Sequence, residues 1–311
     1  MTVVVYVLLS LLLIVLGFSV YALFALFFPK TWDHEHEFDF LYDNYGFDLK
    51  KFRASVKLEP FWVVSDHGYS IYGEYAKNDR PNRNNLVVVF SHGRTGNLHT
   101  MSSYADIYWK LGCSLVFYDH RRHGNTKRNI SCSLGLFESD DLVSVCKSAR
   151  NFFPPDSTWG IQGESMGSVS AILALGRLPF IRFCCADSCY DSAEGLYRSV
   201  LKLRVHMPWV PFGPVTKLLS KVFLGIDFDK ISPLEAIGNV EIPVLFGHGQ
   251  KDTIAPVEMA HRLTEAKKKG FVRLYIFEDA IHAKAILMHP DIYMDVIRDF
   301  LRDSGLAEVS L

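Results

Sequence analysis

Short apolar runs of strand length recur through this chain, at residues 86–90, 114–118, 158–162, 182–186, 242–246 and 271–277. Runs without polar alternation belong to strands buried on both faces, as in a parallel sheet. Helical segments separate them: 104–111, ending at Gly112, then 137–153, 166–177, 256–269 and a closing 291–302. The second of these carries Glu138, Asp140 and Asp141 early and Lys147 and Arg150 late, the order that complements a helix dipole. Strand and helix in alternation predict an α/β fold: a mostly parallel sheet with helices on both faces. A hairpin is expected ahead of it, from 61–64 and 70–75 around Asp66-His67-Gly68. The rhythm breaks once. Residues 190–237 are too many for a single crossover helix and include Leu196, Tyr197, Trp209, Val210, Phe212, Leu218, Leu219, Phe223 and Phe228. The stretch predicts a helical lid insertion, with an extra helix pair packed on the body as the alternative.

The N-terminus follows a different rule. Residues 3–28 contain no charge, Pro or Asn. At about 1.5 Å per residue a helix of this stretch reaches nearly 40 Å, more than the ~30 Å of a bilayer's hydrocarbon, and tilt absorbs the excess. A cleavable signal peptide would need a basic n-region, a shorter apolar run and a small-residue cleavage site. Met1-Thr2 supplies no side-chain charge. The expected organisation is a transmembrane anchor over 1–30, a juxtamembrane linker over 31–60 and the α/β domain, with its lid insertion, over 61–311. Lys30, then Lys50, Lys51 and Arg53, place that domain on the cytoplasmic side. The cysteines, Cys113, Cys132, Cys146, Cys184, Cys185 and Cys189, form no C-x-x-C pair and are expected as buried free thiols, in keeping with a reducing compartment. Asp33-His34-Glu35-His36-Glu37 offers two His with interleaved acids, but no further ligand is placed to complete a metal site; a solvated acidic linker is expected. Gly17 and Ala22 do not form a G-x-x-x-G helix-pairing motif.

Charge excludes one class. Lys+Arg is 33 and Asp+Glu is 34, a net charge of −1. No basic excess exists to hold a phosphate backbone, so no nucleic-acid partner is expected. No Walker A, H-E-x-x-H or G-x-G-x-x-G motif appears, so neither cofactor nor metal is expected.

The chemistry gathers at strand ends. Gly163-Glu164-Ser165-Met166-Gly167 is a G-x-S-x-G between an expected strand and an expected helix, the context a nucleophile elbow requires. The chain must turn sharply at Ser165, and only small residues at 163 and 167 let strand and helix pass closely. The turn presents the serine hydroxyl and aims the Met166 N–H at the same point. The loop Ser91-His92-Gly93-Arg94-Thr95-Gly96-Asn97 follows an earlier strand and offers the Arg94 backbone N–H as a second oxyanion donor. On this reading the Arg94 side chain matters less than the loop's shape. The acid and base should follow in the order Ser, Asp/Glu, His. Asp252 ends the loop after 242–246, and His282 lies on the loop after 271–277; they are the expected orienting acid and general base. Asp187 and Asp191 are rivals for the acid, just past another strand. His289 precedes Pro290 and reads as a helix start, and His248 as a structural neighbour.

These residues are where a family resemblance enters. From about Phe61 to Leu301 the chain resembles the α/β-hydrolase superfamily. Tyr118-Asp119-His120-Arg121-Arg122-His123-Gly124, Gly135-Leu136-Phe137-Glu138-Ser139-Asp140-Asp141-Leu142 and the serine motif are similar to a group of bacterial membrane-anchored hydrolases typified by YqkD. The resemblance implies fold and triad rather than substrate. Asp119 and Arg122 are expected to tie their loop down by hydrogen bonds, with contact to a charged substrate as the alternative. A serine nucleophile implies an acyl-enzyme and acyl transfer to water. The expected activity is a membrane-anchored serine carboxylesterase or lipase-like hydrolase acting on a small acyl substrate, lipid-derived given the anchor. Peptidase, amidase or thioesterase activity is the alternative, with Glu194 or Asp191 as candidate acids for a free α-amine. A non-catalytic anchored scaffold is the further alternative.

Overall fold

The computed structural model describes residues 2–31, 41, 43–126 and 129–306. Eight strands form one sheet: β1 (Glu59–Val64), β2 (Ser70–Ala76), β3 (Val87–Ser91), β4 (Ser114–Tyr118), β5 (Trp159–Glu164), β6 (Ile181–Asp187), β7 (Val244–Gly249) and β8 (Val272–Phe277). Their spatial order is β1-β2-β4-β3-β5-β6-β7-β8. β1 and β2 form the expected antiparallel hairpin, pairing from Glu59 with Tyr75 to Val64 with Ser70, and β2 runs antiparallel to β4. Every other pairing is parallel.

The helices are α1 (Thr2–Phe27), α2 (Leu49–Ser55), α3 (Ser102–Lys110), α4 (Leu136–Ala149), α5 (Met166–Ala174), α6 (Ala193–Val200), α7 (Phe212–Leu224), α8 (Pro233–Ile237), α9 (Val257–Ala266), α10 (Ala285–Met288) and α11 (Pro290–Asp303). Side chains of a strand point alternately to the two sheet faces, so β3 feeds two cores. Val87 and Val89 pack with Leu142 of α4, Val169 of α5 and Leu263 of α9. Val88 and Phe90 pack with Tyr104 and Tyr108 of α3 and Ile297 and Phe300 of α11. Each fully buried side chain of this kind contributes about 1.5–3 kcal/mol.

Two boundaries differ from the sequence reading. The expected linker over 31–60 is not a linker throughout. In α2, Leu49 and Phe52 are buried, Val56 follows them into the core, and Arg53 pairs with Glu74 of β2. Part of the 31–60 stretch thus packs on the sheet-bearing body. The 33–37 acidic stretch lies outside the described residues. The N-terminal helix also packs on the domain. From Ser19 onward, α1 buries Ala22, Leu23, Leu26 and Phe27 against the domain. Phe18 meets Phe212 of α7 edge to face with 4.8 Å between ring centroids, and Phe27 meets Phe228 at 6.0 Å. The Phe27 carbonyl accepts from Cys132 N–H at 2.9 Å, so the helix's last turn finds partners inside the domain.

Residues 190–237, between β6 and β7, hold α6, a π-helical turn (Leu201–Val205), α7 and α8. Tyr190 and Leu196 line the cleft described below, while α8 packs on α5 and α9 and α7 packs on α1. The insertion thus roofs one side of the cleft and packs against α1.

Candidate active site

The elbow at the end of β5 dictates the site. Ser165 has φ +52°, a strained backbone for a residue with a side chain. Close packing holds it there. A Cβ at Gly167 would come within 1.9 Å of the Ser91 carbonyl oxygen, and one at Gly163 within 2.6 Å of the Ser168 backbone. Only glycine lets β3, the turn and α5 approach this closely. The Asp187 carbonyl accepts from Ser165 N–H and from the Ser168 hydroxyl, each at 2.8 Å, which ties the elbow to the end of β6.

Three side chains expected from sequence meet at the carboxyl edge of the sheet. The Ser165 hydroxyl lies 2.8 Å from His282 Nε2. His282 Nδ1 lies 2.6 Å from Asp252 Oδ2. The other carboxylate oxygen of Asp252 accepts from the N–H groups of Ile254 (2.8 Å) and Ala255 (2.9 Å). Burial alone would raise the Asp252 carboxyl. The hydrogen bonds from His248 and His282 outweigh it and hold the group well below the usual carboxylate range. Asp252 is therefore an anion at neutral pH, fixed in orientation by donors on both oxygens. The arrangement is that of a nucleophile, a base and an acid that orients the base.

Gly93, Arg94 and Met166 border the cleft beside Ser165. Met166 is the first residue of α5, so its N–H has no acceptor inside the helix. The Arg94 side chain has an occupation that the sequence reading did not give it. Its guanidinium donates to the Ala25 carbonyl of α1 at 2.9 Å and reaches the Leu26 carbonyl at 3.5 Å. The Arg94 carbonyl in turn accepts from buried His123.

The rival residues are engaged elsewhere. Asp187 accepts from Tyr293 (2.7 Å) and Ser188 (2.8 Å), and burial raises its carboxyl. Asp191 holds Arg262 through two bonds of 2.8 and 2.6 Å. Glu194 is shared between Arg198 and Lys217. His289 pairs with Asp279 at 2.6 Å. His248 lies 3.4 Å from Asp252 Oδ2 and 2.7 Å from the Ala255 carbonyl, beneath the acid rather than in the cleft. Asp119 accepts from Leu98 N–H (2.8 Å) and Asn125 N–H (2.7 Å), joining the loops after β3 and β4. Arg122 donates to the Ile130 carbonyl at 3.1 Å and lies over Phe28.

Glu164 is the residue that sequence reasoning missed. It borders the cleft next to Ser165, and burial pushes its carboxyl up to about 7. Its position inside the serine motif was the available signal. The cleft measures about 330 Å³. Beyond the polar groups its walls are Leu41, Leu134, Leu196, Ile254, Ile286 and Leu287, the mostly apolar lining of a small-molecule site with a few placed polar groups.

No family model matches the chain. It is 33% identical over 265 residues to the uncharacterised protein YqkD of Bacillus subtilis, covering 83% of this chain and 84% of that one. It is 25% identical over 222 residues to the uncharacterised membrane protein YNL320W of Saccharomyces cerevisiae, covering 70% and 72%. Among solved structures, the esterase Pf2001 of Pyrococcus furiosus superposes with a TM-score of 0.68 at 23% identity, over 83% of this chain and 94% of that one.

Proposed function

The chain belongs to the α/β-hydrolase superfamily, and from that membership we propose that it is a membrane-anchored serine hydrolase that cleaves carboxylic esters through an acyl-enzyme on Ser165. The observation that carries the reading is the unbroken hydrogen-bonded chain from Ser165 through His282 to Asp252. His282 takes the Ser165 proton as Oγ attacks the ester carbonyl. Asp252 holds the imidazole in the required tautomer and stabilises its cation. The backbone N–H groups of Arg94 and Met166 receive the oxyanion; one such donor is worth about 2.7–4 kcal/mol in the transition state. His282 then gives the proton to the departing alcohol. Water then attacks the acyl carbonyl and gives a proton to His282, which passes it to Ser165 Oγ as the acyl C–Oγ bond breaks and the acid leaves. The aliphatic walls favour an apolar acyl group.

The anchor reading rests on α1, which is long and apolar enough to cross a membrane. In this proposal it crosses once, with Lys30 and the domain on the cytoplasmic side. Glu164 favours a second reading, amide or peptide cleavage, because a carboxyl in the cleft suits a free amine; Asp191 and Glu194, already paired, do not.

The test is hydrolysis of p-nitrophenyl esters from acetyl to palmitoyl, and of matched anilides, by the detergent-solubilised protein and by Ser165→Ala. Ester turnover by the parent should fall at least about a thousandfold in the variant, because such residues act as a unit. Serine-dependent turnover of anilides in preference to esters favours the second reading. A folded parent no faster than Ser165→Ala on any substrate, and unlabelled by a fluorophosphonate, leaves only the scaffold.

A further inference from the structure

The part of α1 that stands clear of the domain is shorter than a bilayer. Thr2 to Ile14 is exposed throughout, and burial against the domain begins at Phe18 and Ser19. At about 1.5 Å per residue, the free part spans roughly 25 Å, against ~30 Å of hydrocarbon and more with the headgroups. A helix that crosses must therefore sink past Ser19, and it takes with it whatever the domain places at that level.

Phe212 is at that level. It packs on Phe18, and its carbonyl accepts from the Ser19 hydroxyl at 3.4 Å. The chain leading into it, residues 202–210, is built unlike a soluble loop. Val210 is 67% exposed, Val205 43% and Leu203 41%, with Lys202, Arg204 and His206 exposed among them. Solvated apolar side chains interleaved with cations are the composition of an interfacial segment. The same segment reaches the cleft: Arg204 donates to the Thr253 hydroxyl at 3.1 Å, between Asp252 and the cleft-lining Ile254.

We propose that residues 202–210 form a membrane-seated rim, with Leu203, Val205 and Val210 in the headgroup–acyl boundary of the bilayer that α1 crosses and Lys202 and Arg204 toward lipid phosphates. The cleft then opens at the lipid surface and draws its ester from a membrane-resident amphiphile. This inference rests on the reading of α1 as a membrane span. The occupant is a phospholipid surface, because the apolar rim is continuous with the membrane helix and the cations complement anionic headgroups.

The experiment uses the full chain, one copy per nanodisc of phosphatidylcholine and phosphatidylglycerol. The native cysteines are buried, so a polarity-sensitive fluorophore can be placed through Val7→Cys, Leu203→Cys, Val210→Cys or, as a distant exposed control, Lys269→Cys. Spin-labelled lipid is the quencher. The rim probes should lose roughly half or more of their emission, as expected of groups about 5–10 Å into the boundary, with the control unchanged. A quenched Val7→Cys probe with an unquenched Leu203→Cys probe overturns the rim and leaves the anchor standing. A blue-shifted but unquenched Leu203→Cys probe assigns the rim to protein contact and also overturns the proposal. An unquenched Val7→Cys probe overturns the anchor, and the rim with it.

Discussion

Glu164 and Ser165 are neighbours in sequence with opposite legibility. The serine is readable from its motif and its place between strand and helix. The environment of Glu164 is made by distant groups, among them Tyr104 and Lys284. Burial leaves this carboxyl protonated up to about pH 7, against 4.5 for an ordinary glutamate. The folded state therefore holds a proton that the unfolded chain releases. The associated stability is complete below about pH 4.5 and is lost as pH rises through about 7. Glu164→Gln, neutral at every pH, should match its parent in thermal unfolding near pH 4.5 and exceed it by about 3 kcal/mol at pH 8. Equal unfolding curves at both pH values would show that the carboxyl is solvated. The environment of Asp187, a candidate acid by position, was equally hidden: its bond to Tyr293 joins residues 106 apart in sequence. No local pattern announces such a contact. Ser165, Asp252 and His282 were legible because each ends or follows a strand whose apolar run is visible.

At the scale of elements, strands buried on both faces announce their existence but not their neighbours. A continuous apolar run carries no alternation from which pairing could be read, so the placement of β4 between β2 and β3 had to come from the structure. α2 was missed because Leu49, Phe52 and Val56 are few and lie among Lys50, Lys51 and Arg53. The elbow was legible because its glycines are steric requirements. Gly167→Ala should destabilise by about 3 kcal/mol or more, since the added carbon meets the carbonyl of Ser91 rather than a movable side chain. Gly176→Ala, with nothing within 4 Å of its added carbon, should stay within about 0.5 kcal/mol of the parent. Urea midpoints of the two variants make the comparison; equal midpoints would mean that the crossing of β3 and α5 is looser than described.

The whole molecule joins a membrane-type helix to a catalytic-type domain through named bonds. The sequence indicated both parts but not their union, because the buried face of α1 is as apolar as its exposed one. Burial raises the pKa of all six thiols. They are shielded by packing, so their reduced state reports the fold rather than the compartment, and only Lys30 and its neighbours bear on topology. The guanidinium of Arg94 grips the end of α1, and the same residue borders the cleft that holds Ser165. If α1 spans the bilayer and the Arg94 loop receives the oxyanion, as proposed, that bond couples the two. A helix longer than the local hydrocarbon tilts, at a cost of fractions of a kcal/mol per Å of mismatch. On that proposal, torque on α1 would pass to the loop through the Arg94 bond to Ala25. Turnover should therefore vary about threefold across phosphatidylcholine bilayers of increasing chain length, and Arg94→Ala should flatten that dependence while remaining active. A parent indifferent to chain length would show that the grip transmits no load; a dependent one would make hydrophobic thickness itself an effector of the enzyme.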